Sequence, residues 1–111
     1  MMAYQKLVGL FLTGTGEVQL FDAALNVEVN GEVIVCNTGS TDATFSMAWC
    51  DRGHGDNSAE GKDWIVKGIT AEAGGNPLRV PVWVGAGESL RVQASAANIL
   101  AVTLGGVKRE F

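Results

Sequence analysis

Strict alternation between apolar and polar residues over 26–37 constrains the fold of this chain more than any other feature. Four valines would lie on one face of an extended strand and polar side chains on the other: Val27, Val29, Val33 and Val35 against Glu28, Asn30 and Glu32. A period of two built from β-branched residues predicts a strand with one buried face. The turn-forming segment 37–42 follows, and Phe45, Met47 and Trp49 then alternate with smaller residues. We therefore predict a β-hairpin whose second strand buries Trp49 in the core.

The same alternation recurs along the second half of the chain. It predicts strands at 78–84, 90–94 and 99–104, the last ending at Gly105-Gly106, and weaker strands at 18–21 and 64–69. Pro81 cannot donate a ladder hydrogen bond, so its strand should lie at a sheet edge or carry a bulge. A helix over 93–104 is the competing interpretation, but Asn98 interrupts it and no good cap opens it. Six to eight short strands with no convincing helix predict an all-β sandwich or barrel.

Length and composition indicate one domain. A chain of 111 residues, 47% hydrophobic and 18% charged, can bury a single core without disulfides. We expect the β-sandwich domain to span 17–107, with an N-terminal arm at 1–16 and a C-terminal tail at 108–111. The apolar run 7–12 is shorter than a signal peptide requires, so we expect it to belong to the mature protein and the chain to be made in the cytoplasm.

Charge and hydropathy argue against two classes of partner. The net charge is −4, and the eight Lys and Arg residues are scattered along the sequence rather than clustered. A nucleic-acid-binding protein needs a basic stripe that displaces counterions from phosphates, so nucleic acid is not an expected partner. No apolar run approaches the roughly 18 residues of a membrane span, so a membrane is not an expected partner either.

The two cysteines are Cys36 and Cys50. In the predicted hairpin Cys36 lies opposite residues near Thr44, which leaves Cys50 roughly 17–20 Å further along its strand at about 3.3 Å per residue. A disulfide needs Cα atoms within about 7 Å of each other. We therefore predict two free, reduced and mostly buried thiols.

The polar, glycine-rich segment 50–61 surrounds His54, the only histidine. Its neighbours include four further residues of metal-ligating type: Cys50, Asp51, Asp56 and Glu60. Their spacing matches no recognised zinc motif. A Ser-His-Asp triad would have to use His54, and no serine has a nucleophile-elbow sequence. We predict a solvent-exposed loop that holds no metal, and a protein that is not an enzyme and needs no cofactor.

Trp83 is the clearest candidate for a binding residue. It is out of phase with the valines of its own strand, so it should point to the outer side of its sheet. A second apolar layer within the domain would explain this position, and so would a subunit interface, where tryptophan is enriched. Trp64 is compatible with either side of its strand.

Two segments resemble small structural proteins of tailed bacteriophage virions. They read VIVCNTGSTDATFSMAW over 33–49 and VPVWVGAGESLRVQASAANILAVTLGGV over 80–107. The matching elements are turns and core alternation rather than active-site residues, so they bear more on fold than on role. The resemblance implies a jelly-roll β-sandwich of the kind found in capsid decoration (cement) proteins and in tail or neck parts, which are commonly homotrimers. The segments 1–16 and 50–61 lie outside the resemblance.

The expected function is that of a capsid decoration protein: a homotrimer on the capsid surface of a virion that binds the major capsid protein and stabilises the assembled shell. A tail or neck component is the alternative within the same class. A carbohydrate-binding β-sandwich module is the alternative from another class, and exposure of Trp64 and Trp83 on one surface would favour it. The expected interface residues are aromatic or apolar: Tyr4, Leu7, Trp83 and Phe111. They include residues of the two terminal segments, 1–12 and 107–111, which we expect to order on binding.

Overall fold

The structure, a computed structural model, describes residues 4–54 and 57–111. Within these residues there are eight β-strands and one short 3-10 helix, Gly61–Asp63. In chain order the strands are β1 (Gln5–Phe11), β2 (Val18–Asp22), β3 (Val27–Asn37), β4 (Ala43–Cys50), β5 (Trp64–Ala71), β6 (Leu78–Val84), β7 (Ser89–Ala94) and β8 (Leu100–Glu110). The all-β prediction is confirmed, and the segment 93–104 forms the end of β7, a turn and β8 instead of a helix.

The strands form two antiparallel sheets of four. Sheet A has the order β1-β8-β3-β6, and sheet B has the order β2-β7-β4-β5. This eight-stranded arrangement in two facing sheets is that of a jelly roll. Only β4 and β5 are consecutive in the chain and also paired; each of the other connections among the described strands crosses from one sheet to the other.

The predicted hairpin over β3 and β4 is therefore wrong. β3 pairs with β6 and β8 in sheet A, whereas β4 pairs with β5 and β7 in sheet B. The turn segment between them carries the chain across the sandwich, so that the apolar face of each strand meets the same core from opposite sides. The turns at 14–16 and 85–87 cross between the sheets in the same way.

The core lies between the two sheets and follows the alternation in the sequence. The four valines of β3 are buried, and they face Phe45 and Met47 of β4 and Leu90 and Val92 of β7. At about 25 cal/mol per Å² of apolar surface removed from water, this burial is the main contribution to the stability of the fold.

Glycines in the middle of sheet A allow two strands to approach closely. Gly31 of β3 pairs with Gly106 of β8, and a Cβ added at Gly106 would lie 2.6 Å from the carbonyl oxygen of Asn30. A Cβ added at Gly31 would overlap the carbonyl oxygen of Gly105. The last strand therefore continues through Gly105-Gly106 to Glu110 and does not end there as predicted, because these glycines serve interstrand packing rather than a turn.

Pro81 lies on β6, which is an edge strand of sheet A, so the predicted edge position is confirmed. Two segments expected to be terminal arms contribute strands: β1 pairs with β8, and β8 pairs with β3 as far as Glu110. The domain boundaries themselves stay a prediction.

No helix within 4–54 or 57–111 is long and apolar enough to cross a membrane.

Candidate functional site

The outer face of sheet A, here called the bare face, is formed by the outward-pointing residues of its strands. Asn30 of β3 lies between Trp83 of β6 and Val107 of β8 in the sheet register. At one side of this surface the ring of Tyr4 lies over Gly105, and its hydroxyl donates a hydrogen bond to Glu32 Oε1 at 3.4 Å. The bare face therefore presents two aromatic side chains to solvent.

Trp83 also lines a groove at the edge of the sandwich where β5 and β6 lie. This edge groove has a volume of about 210 Å³ and a mostly apolar lining: Trp49, Ile65, Pro81, Val82, Trp83 and Leu90. Trp83 is 61% exposed. The outward orientation predicted for it is confirmed, and no second apolar layer of the described residues covers it.

Trp49 differs from the prediction that placed it in the core. It pairs with Leu90 and so has the inward phase that its alternation with Phe45 and Met47 indicated, but it lies where the sandwich opens and is 43% exposed. Its indole Nε1 donates a hydrogen bond to Glu88 Oε1 at 2.9 Å. The alternation predicted the correct side of the strand for Trp49. It did not predict how exposed the side chain is, because that depends on where the two sheets diverge.

A second apolar patch lies at the opposite edge of the sandwich, where β1 and β2 meet. Phe11 and Val18 are exposed there and line a hollow with Leu10 and Leu12. The two apolar edges are separated by the width of the sheets, because β1 and β2 begin the two sheet orders that β6 and β5 end.

The four expected interface residues occupy different places. Tyr4 and Trp83 are exposed on the bare face, as described above. Phe111 is exposed at the end of β8, where its backbone N–H donates to the carbonyl oxygen of Asn26 at 2.9 Å and its ring faces Arg109 at 5.8 Å. Leu7 is partly buried and packs against the core. Their membership of an interface stays a prediction.

The outer face of sheet B, here called the covered face, lies beneath the connection between β4 and β5. Arg91 of β7 points outward and forms an ion pair with Glu17, with Nε 3.0 Å from Oε2. Both carboxylate oxygens of Glu17 also accept a hydrogen bond from the backbone N–H of Ala59, at 3.0 and 3.1 Å. This buried pair therefore fixes the connection to the face of the sheet.

The same connection brings three metal-ligating residue types together. Cys50 ends β4, Asp63 ends the 3-10 helix, and His54 lies between them in the chain; one potential ligand atom from each lies within 4.8 Å of the other two. Cys50 and Asp63 are buried and His54 is half-buried. Burial, followed by the negative charge of Asp63, raises the pKa of the Cys50 thiol. The hydrogen bond donated by the Glu60 backbone N–H lowers the pKa of Asp63, while burial opposes it.

Sequence reasoning found part of this cluster and missed the rest. It placed His54 near Cys50 but named Asp51, Asp56 and Glu60 as further ligand types, and it did not include Asp63. Asp51 instead pairs with Lys62 at the surface, and Asp56 lies outside the described residues. The C-x3-H spacing of Cys50 and His54 was the available signal, whereas the 3-10 helix that turns Asp63 inward was not visible as a pattern.

The two cysteines are free and far from equivalent. Cys36 points outward from β3 on the bare face and is exposed, whereas Cys50 is buried on the covered face. The prediction of free thiols agrees with this arrangement, but its geometric reason was wrong because the two strands belong to different sheets. The expectation that both thiols are mostly buried is wrong for Cys36.

The class of protein that this architecture defines is an antiparallel jelly-roll β-sandwich. No protein-family model and no curated protein sequence matches the chain. Its fold is similar to the nucleoplasmin-like N-terminal domain of Drosophila FKBP39, with a TM-score of 0.52 and 11% identity over 100% of this chain and 91% of that one. It is also similar to a chain of the infectious bursal disease virus Gx strain, with a TM-score of 0.50 and 10% identity over 97% of this chain and 31% of that one.

A phage particle is also among the structures found. The acid-stable capsid of Helicobacter pylori bacteriophage KHP30 contains a chain that aligns over 100% of both chains with 15% identity and a TM-score of 0.49. At these identities the likeness of the cellular and viral structures extends to the fold alone.

Proposed function

We propose that this chain is a structural protein of a phage virion, a capsid decoration protein that assembles as a homotrimer and binds the outside of the shell. The observation that supports this most directly is the edge groove, in which Trp83, Trp49 and Ile65 are all exposed. Monomeric proteins rarely leave such a cluster in solvent, and exposed tryptophans of this kind are typical of surfaces that another protein covers.

The position of the two apolar edges supports a closed ring. The edge groove lies at the β5 and β6 side, and Phe11 and Val18 lie at the β1 and β2 side. Contact between unlike surfaces on successive copies is heterologous, and it produces a ring when the rotation between copies closes. A three-fold ring would pair each edge groove with the Phe11 patch of its neighbour and leave no apolar edge uncovered.

The assignment to a virion rests on the resemblance of 33–49 and 80–107 to tailed-phage structural proteins. The fold likeness to a chain of infectious bursal disease virus is consistent with it. In this proposal the major capsid protein is the partner, and the bare face with Tyr4 and the exposed Phe111 supply the contact with the shell. A trimer attached at several points would bind with greater avidity than one copy.

The tail or neck alternative keeps the same surface chemistry and differs only in the partner. The carbohydrate-binding alternative loses the observation that would have favoured it. Trp64 belongs to sheet B, where the ammonium of Lys67 lies 4.1 Å from its ring centroid, and Trp83 belongs to the bare face of sheet A. The two side chains therefore do not form one sugar-stacking platform.

Self-association is tested by measuring the mass of the purified chain by light scattering across micromolar concentrations. We expect about three times the 11.6 kDa of one copy. Trp83→Ala should weaken association by about 2 kcal/mol or more, the cost of truncating an interface tryptophan, and so shift the chain toward monomer. Trp64→Ala, on the other sheet, is the matched control and should leave the mass unchanged. A wild-type monomer at every concentration would contradict the trimer.

The virion assignment is tested on particles of the phage that encodes the chain. Particles purified without the protein should bind it when it is added back, and they should then release their genome at a higher temperature. Electron microscopy of the restored particles should place the added density on the capsid. Density on the tail or neck alone would transfer the assignment to the alternative, and absence of binding to any part of the particle would overturn the virion role.

A further inference from the structure

In place of the metal-free loop predicted from the sequence, we propose that Cys50, His54 and Asp63 form a binding site for Zn²⁺ that ties the connection between β4 and β5 to the covered face. The three candidate ligand atoms lie within 4.8 Å of one another. Tetrahedral zinc, with bonds of about 2.0–2.3 Å, holds its ligand atoms about 3.3–3.7 Å apart. The arrangement therefore needs to contract by about 1.5 Å at most, a movement that side-chain rotation can supply.

The hydrogen bonds of His54 leave one ring nitrogen ready to bind a metal. Its Nε2 lies 2.9 Å from the carbonyl oxygen of Asn57 and 3.0 Å from that of Ser58. Carbonyl oxygens can only accept, so Nε2 carries the proton and the neutral ring has its lone pair on Nδ1. Zinc-binding histidines are typically oriented in this way, because the second ring nitrogen donates to a backbone carbonyl.

The charges of the candidate ligands also suit a divalent cation. The Asp63 carboxylate is buried beside the Cys50 thiol, and the nearest ammonium, that of Lys62, lies 3.5 Å from Asp63 Oδ1 on an exposed side chain. On binding, the Cys50 thiol would release its proton to solvent, and the thiolate and the carboxylate together would neutralise Zn²⁺. Because the ligands include a thiolate, zinc is preferred over Mg²⁺ or Ca²⁺.

The Ser89 hydroxyl is the independent observation that points to the same place. Ser89 lies directly across from Cys50 in the register of β4 and β7, and it is buried. Among the described residues its oxygen has no well-formed hydrogen bond. Ser89 already interacts with the Cys50 thiol closely enough to act on its pKa, and a zinc-bound thiolate would accept a stronger hydrogen bond from Ser89 Oγ–H, while water would complete the four-coordinate metal.

The experiment uses the full chain without an affinity tag, stripped with a chelator and then titrated with Co²⁺ as a spectroscopic probe. We expect one Co²⁺ per chain, a thiolate-to-metal charge-transfer band, and displacement of the band by Zn²⁺. Cys50→Ser should abolish the band, and His54→Ala should weaken binding at least about 100-fold, the upper end of what losing even an outer-shell partner costs. Cys36→Ser is the matched control and should bind like the wild type, because that thiol lies on the bare face.

Two further measurements keep the proposal testable if Cys50→Ser fails to fold. Because His54 is the only histidine, its two carbon-bound ring protons give one assignable pair of signals in NMR spectra, and this pair should shift on addition of one equivalent of Zn²⁺. Zn²⁺ should also raise the melting temperature of the wild type and of Cys36→Ser but not of His54→Ala. Absence of binding at micromolar metal, or equal binding by His54→Ala and wild type, would overturn the site.

Discussion

The covered face of sheet B and the bare face of sheet A carry similar types of side chain, but these side chains differ in how far they are exposed to solvent. On the covered face the connection between β4 and β5 buries Ser89 and Arg91, although both point away from the core. On the bare face none of the corresponding outward positions of β3 and β6 is buried, and Trp83 is exposed. An outward position on a strand is therefore not by itself an exposed position, since a long connection can bury it.

This difference indicates which face is closed by the protein's own chain and which face is available to a partner. The covered face is closed by the protein's own chain through Glu17, Arg91 and Ala59, so it has little apolar surface left to offer a partner. The bare face and its edge groove have no comparable cover among the described residues and carry exposed aromatic rings. A partner is accordingly expected on the bare face and at the two apolar edges of the sandwich rather than on the covered face.

The largest expected difference between the two faces is in thiol reactivity. With metal removed by a chelator at pH 8, a thiol reagent should modify Cys36 quickly and Cys50 at least about 1,000-fold more slowly, because Cys50 reacts only when the covered face opens. The raised pKa of Cys50, caused first by burial, acts in the same direction because it lowers the thiolate fraction.

The measurement is mass spectrometry of the labelled protein over time, with Cys36→Ser and Cys50→Ser assigning each rate. In denaturant the two rates should become similar. Equal rates in the native protein would mean that the connection does not cover sheet B in solution.

A smaller difference between the two faces is expected in the free energy of unfolding that is lost when an Arg–Glu pair is broken on each. The side chains of Arg91 and Glu17 are 9% and 14% exposed, whereas those of Arg79 and Glu32, on the bare face, are 59% and 29% exposed. Arg91→Ala leaves the Glu17 carboxylate buried without its cation and should lower the free energy of unfolding by about 3 kcal/mol. Arg79→Ala is the matched control and should lower it by less than about 1 kcal/mol.

Urea denaturation of both variants in monomer-forming conditions compares them directly. Similar losses for the two variants would show that the pair on the covered face is as well solvated as the one on the bare face.

The alternation in the sequence predicted which side of each strand faces the core, but not which strands are neighbours. The buried valines of β3 and the edge position of Pro81 followed from period and backbone chemistry. The partner of β3 did not, because pairing in a jelly roll joins strands distant in the chain and a turn signal between β3 and β4 is compatible with either a hairpin or a crossing. Asp63 was missed for a related reason: its burial depends on a connection whose path over sheet B leaves no periodic pattern.

The smallest expected effect is a pH dependence at the covered face. The Glu60 backbone N–H donates a hydrogen bond to Asp63 Oδ2 at 2.9 Å, and this bond lowers the pKa of Asp63 from its ordinary value of 3.8. The native state therefore binds this proton more weakly than the unfolded chain. The resulting stability is fully present above pH 3.8 and is lost as the pH falls through the lower pKa of the folded protein.

Asp63→Asn removes this titration while keeping an oxygen that can accept from Glu60. The difference in unfolding free energy between wild type and Asp63→Asn, measured with chelator present, should therefore shrink as the pH is lowered below 3.8 and be constant above it. If the Asp63 difference instead grew on acidification, the carboxylate would be destabilised in the folded protein, and desolvation rather than the Glu60 hydrogen bond would dominate its energetics.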